Sequence, residues 1–107
     1  MLRHSVTVTV DRPLGSHHPT HPELFYPINY GYIKGVLGGD GEEQDAYILG
    51  VDRPIKELTG HVIAIVHRLD DAEDKWVVAP EDRSFTKEEI EQAVYFTEQY
   101  FHHEILM

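Results

Sequence analysis

This sequence of 107 residues contains no cysteine and few basic residues. Without cysteine, the chain cannot form disulfide bonds, thiolate zinc sites or a cysteine nucleophile. Only nine lysines and arginines stand against 19 aspartates and glutamates, and no two basic residues are adjacent. Proteins that bind nucleic acid need such residues to neutralise phosphates. The net charge of -10 therefore argues against a nucleic-acid partner and favours cations, or anions bridged by cations.

Long hydrophobic runs are also missing. No stretch approaches the roughly 20 apolar residues that cross a bilayer, and residues 1–10 alternate polar and apolar side chains, unlike a signal peptide. We therefore expect a cytoplasmic protein with no membrane partner. The length has room for a single domain over 1–107. The short chain and its apolar end at 105–107 also lead us to expect a homo-oligomer.

What is present is the pattern of a small β-protein that ends in a helix. Alternating or continuous apolar segments bounded by turn residues predict five strands, over 5–10, 30–37, 45–51, 61–67 and 75–79. Thr86 and Glu89 form a capping box that predicts a helix, and its apolar face is expected to comprise Ile90, Val94, Thr97 and Phe101. The expected fold class is α+β, mainly β, with a five-stranded OB-like barrel and a C-terminal helix.

Two acidic segments are candidates for metal chemistry. The first reads Asp-Gly-Glu-Glu-Gln-Asp over 40–45, where the chain bends between a glycine-rich turn and a strand. Carboxylates this close together repel unless a cation, a shared proton or open solvent intervenes, and ligands with oxygen donors alone suit magnesium, manganese or calcium. The second covers 70–74 and opens at the same end of the barrel if its strand neighbours the one beginning at Asp45. Each segment alone also fits a solvated turn.

An aromatic segment, Tyr-Pro-Ile-Asn-Tyr-Gly-Tyr-Ile over 26–33, precedes the first acidic loop. Tyrosine hydroxyls can donate to phosphate oxygens, although aromatic core packing explains the rings equally well. Together with 40–45, this segment resembles the signature of family I soluble inorganic pyrophosphatases, which carry Tyr-Pro-x-Asn-Tyr-Gly-Tyr-Ile and then Asp-Gly-Asp-Pro-x-Asp at the same separation. A third block of that family, an acidic turn leading into a valine-rich strand, resembles 70–79. The resemblance covers about half the chain and implies an OB-like barrel with helices.

The resemblance also implies an activity, which is the hydrolysis of pyrophosphate to two phosphates by a water that Mg²⁺, or Mn²⁺, activates. It assigns roles by position. Asp40, Asp45 and Asp74 are expected to be the principal metal ligands, with Asp70 binding the metals that arrive with the substrate. Glu42 is expected to accept the proton of the attacking water, Tyr30 to lie beside that water, and Tyr26, Tyr100 and Lys75 to bind the substrate.

Several positions depart from the family pattern. The family's proton-accepting aspartate is Glu42 here, which is longer by one methylene. The family has lysines at two positions that are Trp76 and Phe101 here. Lys75 stands one residue before the first of them. The N-terminal part is shorter, and a histidine-rich segment over 17–21 takes its place. We expect Arg12 and His17 to serve as replacement phosphate donors.

Three alternatives remain open on the sequence. The chain could hydrolyse another phosphoanhydride or a phosphate ester, or it could be a non-catalytic metal or phosphate sensor on the same fold. It could also be a zinc protein built on His17, His18 and His21 with Glu23, because histidine is the usual zinc ligand in a chain without cysteine. Pro19 and Pro22 oppose a helical arrangement of these histidines.

Overall fold

The secondary structure follows the predicted order, with one addition at the C-terminus. A computed structural model describes residues 4–39, 41–70 and 73–107. In these ranges the chain forms six strands and one helix, which are β1 (Ser5–Arg12), β2 (Asn29–Leu37), β3 (Glu43–Ile48), β4 (Glu57–Arg68), β5 (Asp74–Ala79), α1 (Lys87–Glu98) and β6 (His103–Leu106). Among these described residues, no helix has the length and apolar character that crossing a bilayer requires.

Five of the strands close into a barrel. The order is β1-β2-β3-β5-β4, and β1 also pairs with β4, so that the sheet has no open edge at that point. Every pairing is antiparallel except that of β3 with β5, which is parallel. This confirms the predicted five-stranded OB-like barrel with a C-terminal helix.

The sixth strand corrects the prediction that the chain ends after its helix. β6 pairs antiparallel with the second half of β4, with Val66 opposite Ile105. The Ile105 side chain is buried, while those of its neighbours in β6 are more exposed. Part of the apolar C-terminus that we expected at an oligomer interface is therefore used inside the domain.

Two apolar clusters lie on the two faces of the sheet. Inside the barrel, Trp76 and Val78 pack with Val8. On the other face, Val77 packs under α1. Because both faces of β5 are covered, its apolar residues form a continuous run. Successive residues of a strand therefore point alternately into the barrel, which we call the barrel face, and toward α1, which we call the helix face.

The helix begins as predicted but ends earlier. Thr86 caps it, since its hydroxyl accepts from the Glu89 backbone N–H and the Glu89 carboxylate accepts from that of Thr86. Ile90 and Val94 are buried beneath it. The amide of Phe101 then bonds to the carbonyl of Glu98, a tighter three-residue spacing that ends the helix and turns the chain toward β6. Tyr100 and Phe101 therefore lie beyond the helix, which corrects their predicted place on it.

Gly31 explains why the aromatic segment contains a glycine. It lies in β2 opposite Val10 of β1, and the two strands approach so closely that a Cβ at this position would overlap the carbonyl of Thr9. The tyrosines on either side, Tyr30 and Tyr32, project to the opposite face from Gly31. The glycine thus lets β1 lie close against β2 while Tyr30 packs on the helix face.

Candidate active site

The two acidic segments meet because β3 and β5 are neighbours. The two strands run parallel with Ala46 beside Trp76, so both begin at the same edge of the barrel. One residue earlier in each strand, this register brings Asp45 alongside Lys75. Both side chains lie on the helix face, since Tyr47 and Val77, two residues further along, belong to the cluster under α1. The sequence-based expectation that both acidic loops open at one end agrees with this arrangement.

A buried lysine joins these groups. The ammonium nitrogen of Lys75 donates to Asp45 Oδ2 at 2.6 Å, to Glu73 Oε1 at 3.0 Å and to the hydroxyl of Tyr30 at 3.0 Å. The Lys75 residue is only 5% exposed. Charge-assisted bonds of this length are about twice as strong as those between neutral groups. Two carboxylates therefore converge on one cationic position.

Tyr30, whose hydroxyl accepts from Lys75, lies beside this position. Burial raises the pKa of its hydroxyl far above the ordinary value, and the negative charge of Asp45 raises it further. Its ring packs at a centroid distance of 5.1 Å from Tyr47 and 5.8 Å from Tyr26. The hydroxyl therefore keeps its proton at physiological pH, which suits it to orient a water or phosphate oxygen and excludes it as a base.

A second buried ion pair, between Arg68 and Glu98, lies next to Glu73. Both carboxylate oxygens of Glu98, a fully buried residue, accept from the guanidinium of Arg68, at 2.7 and 3.0 Å. The hydroxyl of Tyr47 donates to the same carboxylate at 2.6 Å. On its other side, the Arg68 guanidinium approaches Glu73 Oε2 at 3.9 Å and stacks 3.8 Å from the ring centre of Phe101. The end of α1 is thereby tied to Glu73.

A cavity of about 430 Å³ opens over these groups. Lys75, Tyr30, Tyr26 and Tyr100 all contribute to its lining, together with His18, His21, Glu23, Leu24, Tyr47, Arg68, Thr97 and Phe101. The structure thus brings four of the predicted site residues onto one cavity wall. A second depression, of about 680 Å³, lies against β4 and residues 81–85, and none of the predicted site residues lines it.

Other predicted carboxylates lie elsewhere. Asp74 falls between Glu73 and Lys75 and points to the opposite face, where its carboxylate accepts from His67 at 2.7 Å. Asp70, in the turn after β4, accepts from the backbone amide of His102 at 3.3 Å. Glu42 is exposed in the turn before β3, and Asp40 lies outside the described residues. The structure therefore joins Asp45 to Glu73, and not to Asp74.

The two predicted phosphate donors of the N-terminal part, Arg12 and His17, have different surroundings. Arg12 contacts Asp11 at 3.7 Å and lies near enough to Tyr26 to act on the pKa of its hydroxyl, which burial raises and Arg12 lowers. His17 turns away from the cavity, and its Nδ1 donates to the carbonyl of Pro22 at 2.7 Å. His18, the next residue, lines the cavity instead.

The histidine-rich segment does not assemble a zinc site in the part of the chain that is described. There, no group of three or more histidine, aspartate or glutamate side chains is arranged to hold a metal ion. The rings of His18 and His21 lie 5.0 Å apart, and His21 approaches Glu23 at 3.6 Å. Since His17 bonds to a carbonyl elsewhere, the zinc alternative gains no support from these residues.

The chemistry of the joined carboxylates fits magnesium or manganese. Mg²⁺ prefers oxygen ligands and usually binds through one or two protein carboxylates, keeping several waters or substrate phosphates as its other ligands. Asp45 and Glu73 supply two such carboxylates on one cationic position. Asp40, which lies outside the described residues, is the predicted source of a third.

Sequence reasoning missed Glu73 and the pair formed by Arg68 and Glu98. Strand alternation carried a signal for Glu73, because it stands two residues before Lys75 and so shares its face. No local pattern signalled the Arg68–Glu98 pair, whose members are 30 residues apart in sequence and meet only when α1 docks on β4.

Comparison with known proteins gives structural relatives only. No family model and no curated protein matches the sequence. Solved structures do match. An inorganic pyrophosphatase from Neisseria gonorrhoeae has 24% identity and a TM-score of 0.68, over 90% of this chain and 73% of that one. One from Ehrlichia chaffeensis has 14% identity and a TM-score of 0.71, over 97% and 85%. One from Helicobacter pylori has 17% identity and a TM-score of 0.65, over 99% and 85%. This likeness shows that the chain has their fold.

Proposed function

We propose that this chain, which shares its fold with inorganic pyrophosphatases, hydrolyses inorganic pyrophosphate to two phosphates with Mg²⁺ or Mn²⁺ as cofactor. One observation carries the proposal. Asp45 and Glu73 converge on a single cationic position that borders a tyrosine-lined cavity. The donor chemistry of the two carboxylates and the fold support the same reaction class independently.

In this proposal Asp45 and Glu73 hold the metal, and Asp40, five residues before Asp45 in the sequence, is the proposed third ligand. Once bound, a divalent ion would lower the pKa of a nearby water and offset the negative charge of the phosphates. Glu73 takes the place that the sequence pattern gave to Asp74, because it shares the helix face with Asp45. The expected role of Asp70 toward metals that arrive with the substrate stays a prediction.

The chain's own residues would handle the proton and the phosphates. Glu42 precedes Asp45 by three residues, and we propose it as the acceptor of the proton from the attacking water. The Tyr30 hydroxyl donates a hydrogen bond that orients that water. Lys75, Tyr26 and Tyr100 reach the phosphate oxygens from the cavity wall. Arg12 assists through its position beside Tyr26.

Wider expectations rest on the sequence alone. A cytoplasmic location, a homo-oligomeric state and the lack of nucleic-acid and membrane partners stay predictions from composition. The expected phosphate donor His17 also stays a prediction, although its neighbours His18 and His21 line the cavity.

Phosphate release from pyrophosphate tests the proposal, measured with Mg²⁺, with Mn²⁺ and with a chelator, in the wild type and in Asp45→Asn. We expect metal-dependent release that falls at least about a hundredfold in Asp45→Asn. Asp52→Asn removes an exposed carboxylate of the same kind outside the cavity, and it should keep the wild-type rate.

Two other results would indicate a different function. Release from another phosphoanhydride or a phosphate ester, with none from pyrophosphate, would assign that substrate instead. Thermal stabilisation by metal and pyrophosphate together, without turnover, would indicate a sensor.

A further inference from the structure

The position of Lys75 affects how a metal ion would bind at the site. Its ammonium has three acceptors within 3.0 Å, and two of these are carboxylate oxygens, from Asp45 and Glu73. We propose that Lys75 is a tethered substitute for the metal. It neutralises both carboxylates in the metal-free chain, leaves them when a divalent ion binds, and then turns to the phosphate in the cavity. This inference rests on the metal dependence in the proposed function.

The carboxylates need such a cation when no metal is bound. Asp45 and Glu73 lie close enough for one ammonium to bond to both, at 2.6 and 3.0 Å. Their side chains are 30% and 24% exposed, so solvent screens their mutual repulsion only in part. A partly buried pair of carboxylates without a counter-cation is costly. Lys75 thus holds the two ligands in place before the metal arrives.

The ammonium lies on the oxygen atoms that would also bind a metal ion. Mg²⁺ binds carboxylate oxygen at about 2.0–2.1 Å and requires near-octahedral geometry. The Lys75 nitrogen lies on the atoms Asp45 Oδ2 and Glu73 Oε1, and the other oxygen of Glu73 faces Arg68 at 3.9 Å. A divalent ion held by Asp45 and Glu73 would therefore compete with the ammonium for their oxygen atoms.

Once displaced, the Lys75 ammonium can bind a phosphate in the cavity. Lys75 lines the cavity together with one other cation, Arg68. Glu98 holds the Arg68 guanidinium by two bonds, at 2.7 and 3.0 Å. The Lys75 ammonium is carried on a four-carbon stem with several rotatable bonds, so once a metal binds its carboxylates it can turn to a phosphate. Metal should therefore bind before pyrophosphate, and each should favour the binding of the other.

Binding of Mn²⁺ in the absence of pyrophosphate tests the proposal, measured by titration calorimetry. The variants are Lys75→Met, which keeps most of the side-chain volume without its charge, and Lys75→Gln, which keeps a hydrogen-bond donor. We expect both to bind Mn²⁺ at least about tenfold more tightly than the wild type, because no ammonium has to be displaced. Lys87→Met removes an exposed lysine at the start of α1 and should bind as the wild type does.

Thermal melting keeps the test informative if either variant is unstable. Without metal, Lys75→Met should melt at a lower temperature than the wild type. Excess Mn²⁺ should close that gap, because the ion replaces the missing charge. A lysine that only stabilises the fold would leave the same gap with and without metal, and that result would overturn the proposal.

The outcomes also separate this inference from the proposed function. Equal or weaker Mn²⁺ binding in the Lys75 variants, with clear binding in the wild type, would overturn the role of Lys75 and leave the metal site standing. No Mn²⁺ binding in any of the chains would overturn the metal site and this inference together.

Discussion

Glu98 and Arg68 form a buried ion pair in which both carboxylate oxygens accept from one guanidinium, at 2.7 and 3.0 Å. The Glu98 residue is fully buried and Arg68 is 5% exposed. Because the pair joins α1 to the end of β4 and touches Glu73, it connects the stability of the domain to the geometry of the candidate site.

Breaking this pair should destabilise the chain strongly. In Glu98→Gln the buried Arg68 charge loses the carboxylate that holds it by two bonds, and we expect the free energy of unfolding to fall by about 3–5 kcal/mol. Urea denaturation measures the loss. Glu88→Gln is the matched control, since Glu88 is exposed in the first turn of α1. A loss below about 1 kcal/mol in Glu98→Gln would show that the pair is not buried as described.

His103 should make stability depend on pH. Burial alone would lower its pKa, but one ring nitrogen faces the carbonyl of Phe101 and the other the carboxylate of Glu91, and these contacts raise the pKa above its ordinary value. The protonated form is therefore stabilised by folding. Its contribution is complete below the unfolded-state pKa of about 6.5 and is lost as the pH rises through the folded-state pKa.

Thermal melts between about pH 6 and pH 9 measure this dependence. Glu91 is 43% exposed and partly screened by solvent, so we expect a loss of no more than about 1 kcal/mol across the range. The loss should be clearly smaller in Glu91→Gln. An unchanged pH dependence in that variant would assign the effect to groups other than this pair.

Gly31 should tolerate no side chain. Gly31→Ala places a methyl group on the carbonyl of Thr9, which forces β1 and β2 apart, and we expect a loss of about 3 kcal/mol or more in urea denaturation. Gly35→Ala is the control, because Gly35 has open space for a Cβ and carries only the strain of its φ of +80°, which costs about 1–2 kcal/mol. Equal losses would contradict the close approach of the two strands.

Much of the fold could be predicted because local patterns and tertiary structure agree. The alternation from Ser5 to Val10 and the capping box of Thr86 and Glu89 are local signals, and both describe real elements. β6 carried no such signal. Its four residues form a strand only because β4 extends far enough to pair with them, and strands this short have little preference of their own.

For the candidate site, the sequence predicted that the two acidic segments lie at one end of the barrel, and Asp45 and Glu73 do meet there, around Lys75. That they bind a metal stays a prediction. The choice between Glu73 and Asp74 depended on where β5 begins, and a shift of one residue moves a side chain to the other face. The Arg68–Glu98 pair depends on the docking of α1, which no local pattern in the sequence encodes.

We propose that Asp45 forms the metal centre with Glu73, and a comparison of Glu73→Gln with Asp74→Asn tests this pairing. Both substitutions remove one carboxylate charge from adjacent residues, but only Glu73 lies on the Asp45 face. Mn²⁺ affinity and metal-dependent phosphate release are measured for each. We expect Glu73→Gln to lose about a hundredfold or more in both, while Asp74→Asn stays within a few-fold of wild type. The reverse order, with Asp74→Asn inactive and Glu73→Gln intact, would contradict the account.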